Sequence, residues 1–212
     1  RCTLRITALR CDKARNKRRQ KDSMSGSLRI IGGRWRSRKI KFAIEDAVRP
    51  SPDRVRETLF NWLSLDIAGA SCLELFAGSG VLSIEALSRG ARDVVIVDSS
   101  DQVLRQIKFN LNTLQADAEK WSCVKSDAID WLSVQTRAWD IIFLDPPFSS
   151  DYLTKCLQII GAKQLLKPNG IIYFESASPL TLSGFDEGSE HHWQLHRQKK
   201  SGAVHYGLIY QP

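Results

Sequence analysis

The sequence predicts an α/β protein built on a mostly parallel sheet, and three observations predict it. Strand-like apolar runs recur at residues 71–76, 93–98 and 141–144, and runs so nearly unbroken fit strands buried on both faces. Helical patterning fills the intervals between them. Each run ends abruptly, at Ala77-Gly78-Ser79-Gly80, at Asp98 and at Asp145-Pro146-Pro147-Phe148. The edge formed by such strand ends is where open α/β sheets bind ligands, so chemistry is expected there.

Residues 1–23 hold nine Lys/Arg against two Asp, few large apolar groups and the run Lys17-Arg18-Arg19-Gln20-Lys21. That composition is expected to stay disordered. Met24 is the single methionine and folded patterning begins just after it, so the natural start is expected at Met24. Asp12, Asp22 and the lack of an amphipathic stripe speak against a transit peptide. Residues 24–49 add seven Lys/Arg against two acids, whereas the remainder carries fifteen against nineteen, so the net charge of +8 arises entirely at the N-terminal end. A basic arm on a mildly acidic body points to a polyanionic partner, above all nucleic acid.

Residues 28–42 read as two short strands around Gly32-Gly33. Arg34, Arg36, Arg38 and Lys41 interleave with Trp35, Ile40 and Phe42, a mixture suited to phosphate contact and stacking. A hairpin that packs Trp35 and Ile40 on the main body explains the apolar members equally well. In Arg49-Pro50-Ser51-Pro52-Asp53-Arg54, Ser51 is expected to cap a helix and Pro52 to occupy its first turn. Val55, Leu59, Trp62 and Leu63 form its apolar face, with Arg54, Arg56 and Asn61 directed elsewhere. Arg49 and Arg54 are expected to meet RNA or to close over the site.

The segment 71–89 then reads as strand, glycine turn and helix, the opening unit of a Rossmann-like nucleotide site. Its spacing departs from G-x-G-x-x-G and no Walker lysine follows, which disfavours a dinucleotide or a triphosphate. Glu74 would repel phosphate but suits a ligand carrying a cationic amino acid. Asp98 follows the glycine turn by the interval at which a carboxylate accepts ribose hydroxyls. A strand near residues 121–124 precedes Ser126-Asp127-Ala128, where Asp127 could accept from an adenine amine. Each acid alone also fits a strand end or a helix cap; acids at successive strand ends fit a ligand site better.

Asp145 and the Pro146 carbonyl are two acceptors in a frame stiffened by Pro147, able to hold the N–H bonds of a nucleobase amine, and Phe148 offers a face for an extracted base. Residues 151–166 should form an amphipathic helix, residues 167–170 a turn and residues 171–175 a strand. Residues 193–197 and 203–210 should form a closing hairpin. His191, His192, His196 and His205 lack metal-ligand spacing, and no metal is expected. The five cysteines show no C-x-x-C pair, which favours a reducing cytoplasm over disulfides. No apolar run approaches the ~18 residues of a membrane span.

Phe76-Ala77-Gly78-Ser79-Gly80, Asp98, Asp127 and Asp145-Pro146-Pro147-Phe148 resemble the class I S-adenosylmethionine-dependent methyltransferases that act on nucleobase amines. Arg29-Ile30-Ile31-Gly32-Gly33-Arg34-Trp35-Arg36, Asp53-Arg54-Val55-Arg56-Glu57-Thr58-Leu59-Phe60-Asn61-Trp62-Leu63 and Glu85-Ala86-Leu87-Ser88-Arg89 resemble, more narrowly, the bacterial RsmD family. The likeness spans about residues 28–210. It implies a Rossmann-like seven-stranded sheet with one antiparallel strand, an N-terminal RNA-binding hairpin and helix over residues 24–66, and a methyltransferase domain over residues 67–212. It further implies methylation of guanine N2 in 16S ribosomal RNA by a cytoplasmic monomer, on an assembling small subunit. S-adenosyl-L-methionine would lie against Glu74, Phe76, Ala77, Gly78, Ser79, Gly80, Asp98, Ser99, Asp127 and Ala128. RNA would meet Arg34, Trp35, Arg36, Arg38, Lys41, Arg49 and Arg54, with Asp145, Pro146, Pro147 and Phe148 at the reacting amine. Two rivals are an adenine-N6 methyltransferase, which the Pro-Pro loop alone permits, and a catalytically idle ribosome-assembly protein.

Overall fold

A computed structural model describes residues 25–43, 51–148, 150–182 and 193–211. The expectations for residues 1–23, Met24, Arg49, His191 and His192 fall outside these residues. Seven strands, β3 (Ser71–Leu75), β4 (Asp93–Asp98), β5 (Trp121–Lys125), β6 (Trp139–Leu144), β7 (Leu166–Ser176), β8 (Gln194–Ser201) and β9 (Val204–Tyr210), form one sheet in the order β5-β4-β3-β6-β7-β9-β8. β3 to β7 run parallel and β9 alone runs opposite to them, paired antiparallel with both β7 and β8. The expected α/β, mostly parallel sheet is thus present.

The chain's apolar periodicity sorts the helices onto two faces. α1 (Asp53–Trp62), α2 (Val81–Ser88) and α3 (Asp101–Thr113) share one core cluster with Phe143 and Tyr173, while α4 (Ala128–Ser133) and α5 (Tyr152–Ala162) pack Leu132, Leu157 and Ile160 against Leu144 and Phe174. β1 (Ser25–Arg29) and β2 (Lys39–Ala43) pair as a separate antiparallel ribbon whose Ile30, Trp35 and Ile40 enter the first cluster. That added layer explains why every residue of α2 is buried, polar ones included.

Four expectations are corrected. Ser51 makes no cap bond to α1; Pro52 is the N-cap residue and the Ser51 hydroxyl donates to Glu175 instead. Arg56 does not face outward but is fully buried. The helix after Asp151 ends at Ala162, and residues 167–170 are a bulge within β7, since Leu166 pairs with Trp139 and Ile171 with Ile141. Asn169 takes φ +61° there, and Lys167 Nζ reaches Asp140 Oδ2 at 2.8 Å to tie the bulge down. Finally, the hairpin tip does not lie beside the strand ends. Trp35 N–H donates to Ser88 Oγ (2.9 Å) and Arg38 Nη2 to the Thr113 carbonyl (3.0 Å), so the tip sits at the C-terminal ends of α2 and α3. Both helices run back from the ligand edge of the sheet, and eight residues of α2 span ~12 Å.

The tip is held by a buried charge pair. Glu85 in α2 accepts from the backbone N–H of Ile31 and of Gly32 and from Arg56 Nη1 at 3.1 Å. Arg56 also donates to the carbonyls of Arg29 (3.1 Å) and Ser51 (3.2 Å). One guanidinium therefore joins the hairpin, the approach to α1 and α2. Gly33 has φ +74°, and a Cβ there would lie 1.9 Å from the Ser88 carbonyl oxygen, so only glycine lets the tip seat.

Candidate active site

The sheet reverses its strand order between β3 and β6, and a cavity of about 450 Å³ opens at that point on the C-terminal edge. Its lining brings together Glu74, Phe76, Ala77, Gly78, Ser79, Asp98, Ser99, Asp127, Ala128 and all of Asp145 to Phe148. Gly80 is not among the lining residues and is the N-cap of α2. The sequence-based expectation for the cofactor and catalytic groups thus converges on one place.

The turn after β3 is wound through left-handed backbone at Phe76 (φ 59°), Gly78 (φ 51°) and Gly80 (φ 68°). Gly80 opens α2, and a Cβ on it would press within 2.7 Å of Ile107. Asp98 Oδ2 accepts from Gly78 N–H at 3.0 Å and Oδ1 from Ser100 N–H at 2.8 Å. A carboxylate offers about four acceptor positions, so Asp98 braces the turn and keeps capacity for hydroxyls in the cavity. Glu74 Oε2 accepts from Ser83 N–H at 3.1 Å; burial, aided by the charge of Asp98, lifts its carboxyl to about 7.

Asp127 does two structural tasks at the next strand end. Its Oδ1 caps α4 by accepting from Ile129 N–H (2.8 Å) and Asp130 N–H (3.3 Å), and Tyr152 OH donates to its Oδ2 at 3.0 Å. Tyr152 also meets Phe76 edge-on, with centroids 5.2 Å apart, so the two rings wall the cavity.

Asp145 ends β6 beside two acids on neighbouring strands. Leu144 pairs with Phe174 and Glu74 with Phe143, which puts Asp145, Glu175 and Glu74 on the same sheet face. Glu175 is buried and accepts from Ser51 Oγ and, at 2.7 Å, from Tyr173 OH. Burial pushes the Asp145 carboxyl well above the usual range, and the charges of Glu175 and then Glu74 push it further. Burial also raises Glu175, against the hydrogen bonds from Ser51 and Tyr173. Pro146 is buried and Phe148 stands 43% exposed at the mouth, with its ring free to take a flat partner.

The hairpin residues are not brought to this cavity. Arg34, Arg36, Arg38 and Lys41 are exposed at or near the far tip, and Trp35 is buried as the hairpin's anchor, offering no face to a base. Arg54 is exposed near the ligand edge, its Nη2 3.5 Å from Ser201 Oγ. Sequence reasoning missed Ser51, Tyr152, Tyr173 and Glu175. Glu175 was readable only as an acid ending an apolar strand, the same pattern that singled out Asp98.

Residues 28–210 match the model of the family described as Conserved hypothetical protein 95. The Ribosomal RNA small subunit methyltransferase D of Haemophilus influenzae is 37% identical over 91% of this chain and 98% of its own length. The protein of the same name from Escherichia coli is 40% identical over 88% of this chain and 91% of its own. The solved structure of Escherichia coli yhhF superposes with TM-score 0.77 at 39% identity, covering 88% of this chain and 98% of that one.

Proposed function

The chain belongs to the Conserved hypothetical protein 95 family, the RsmD family, and from that premise we propose that it methylates guanine N2 in 16S ribosomal RNA with S-adenosyl-L-methionine. Methylation of ribosomal RNA follows from the relatives; an exocyclic base amine as acceptor is read from the site, and guanine N2 is what the RsmD resemblance implies. The observation that carries the reading is the joining of Glu74, Asp98, Asp127 and the Asp145-to-Phe148 loop around one cavity.

The residues fit that cofactor. Glycines at φ 51° and 68° let backbone approach closely, Asp98 retains acceptors for ribose hydroxyls, and Glu74 suits an ammonium group. When bound, S-adenosylmethionine supplies an electrophilic methyl group. Asp145 and the Pro146 carbonyl accept from the two N–H bonds of the target amine and orient its lone pair, while Phe148 stacks on the splayed base. The hydrogen bond from the amine to Asp145 gives the proton that leaves on methyl transfer a base to go to. The substrate is taken to be an assembling small subunit in the cytoplasm; among the described residues no helix is long and apolar enough to cross a membrane.

Incubation with methyl-labelled S-adenosylmethionine and unmodified small subunits, naked 16S RNA or genomic DNA tests the reading. Label should appear as N2-methylguanine in the RNA. Label as N6-methyladenine would favour the adenine rival, and no transfer the idle one.

A further inference from the structure

The hairpin tip carries the charges that first suggest RNA, yet it lies at the wrong end of α2 for the nucleotides next to a base in the cavity. Another set of cations stands at the right end. Strand pairing runs a single row across the sheet face: Asp145 next to Glu175, Glu175 paired with Tyr206, and Tyr206 paired with Lys199. With strands ~4.8 Å apart, Lys199 lies about 14 Å from Asp145, within reach of the chain flanking an inserted nucleotide. Arg197 follows on the same face, and Arg54 reaches Ser201 at the top of the same strand.

Two of these cations rest on an aromatic platform. Arg197 and Lys199 lie over the Trp62 ring at 5.8 and 5.6 Å, and Trp62 stacks on Tyr206 with centroids 5.7 Å apart. Among the described residues none of Arg54, Arg197 and Lys199 makes an ion pair, although all three are exposed. Positive charge held over an aromatic ring, beside a site for a polyanion's base, has an evident partner in the phosphodiester backbone. An edge strand also uses lysine to deter pairing with other strands, but that role needs no aromatic platform.

We propose that the face formed by β8 and α1, through Arg54, Arg197 and Lys199 on Trp62, grips the phosphates flanking the target nucleotide. It rests on the function proposed above. The hairpin tip is left to more distant parts of a large substrate.

The test pairs Arg197→Met with Lys199→Met, which keeps apolar stems over Trp62 and removes both charges. Arg34→Met with Arg36→Met is the comparison. Binding of a fluorescent RNA of about a dozen nucleotides centred on the methylated guanine is followed by anisotropy across a salt series. Losing two phosphate contacts should weaken binding roughly tenfold and reduce the salt slope by ~1.4. Cofactor binding by calorimetry should not move, and Arg197→Lys should restore part of the loss. The hairpin pair should leave the short RNA unaffected and weaken only whole 16S RNA or subunits. Unchanged short-RNA affinity and slope in the β8 pair, in a protein melting as wild type does, would overturn the assignment while leaving the methyltransferase reading intact. A wild-type protein that methylates no ribosomal RNA would remove both.

Discussion

Replacing Arg56 by Met should cost far more than an arginine on a surface helix normally does. Arg56 and Glu85 are each 0% exposed and 3.1 Å apart. The methionine would leave Glu85 charged in the core, with two backbone N–H groups and a long 3.4 Å contact from Arg89 as its remaining donors. It would also release the carbonyls of Arg29 and Ser51. Breaking one side of a buried ion pair costs about 3–5 kcal/mol, which for a chain of this size lowers the melting midpoint by roughly 6–20 °C. Differential scanning calorimetry reads the midpoint, and limited proteolysis reads whether the hairpin detaches first. Adding Glu85→Leu should not recover the loss, because it also strips the acceptor from the Ile31 and Gly32 N–H groups that seat the hairpin. A drop below about 1 kcal/mol, or a double variant that regains wild-type stability, would refute this account of the hairpin's anchor.

Asp145→Ala should cut methyl transfer by orders of magnitude and leave calorimetric cofactor affinity nearly unchanged; Phe148→Ala should weaken RNA-dependent turnover by on the order of 1–3 kcal/mol. Gly78→Val, at φ 51°, should abolish cofactor binding in a protein with a normal circular dichroism spectrum. Glu74 must give up a proton held with an affinity near pH 7 to pair with an ammonium group, so cofactor affinity should fall as pH drops below 7. Glu74→Gln should bind more weakly and lose that pH dependence, and a flat wild-type profile would reject the pairing. Asp140 is held near 2, where Lys167 and Ser71 overcome the effect of burial. Its contribution is therefore complete above the ordinary carboxylate range and vanishes toward pH 2. Lys167→Met should lower the melting midpoint at neutral pH by a few degrees at most, because the pair is about one-third exposed. The difference should close on acidification.

The sheet and the cavity were legible because parallel strands buried on both faces write themselves as apolar runs, and the ligand edge is where those runs stop. Residues 141–144 and Asp145 were found on that ground, and the glycine turn and Asp98 from their motif and spacing as well. Arg56 was not legible, since its burial depends on Glu85, which lies 29 positions further on, and on the carbonyl of Arg29. A hint was present in α2, where Val81-Leu82-Ser83-Ile84-Glu85 sets one charge in a helix that is otherwise apolar or small; a buried carboxylate demands a partner. The hairpin's strands followed from alternation, but alternation says nothing about which end of α2 the tip meets. That depends on Ser88 and Thr113, residues with no marked sequence pattern.

The place of β9 between β7 and β8 bears on how the chain is completed during synthesis. β8 is made before β9, yet among the described residues β8 has no hydrogen-bonded neighbour strand except β9. An incomplete chain halted between them therefore holds two loose ends: the cationic strand β8 and the margin of β7, each without the partner that β9 supplies. The emergence of β9 closes both at once. A stop codon before Val204 would thus remove far more structure than the seven residues of the strand it deletes, and the product should be cleared by proteases as an aggregation-prone fragment, not accumulate as a shortened enzyme.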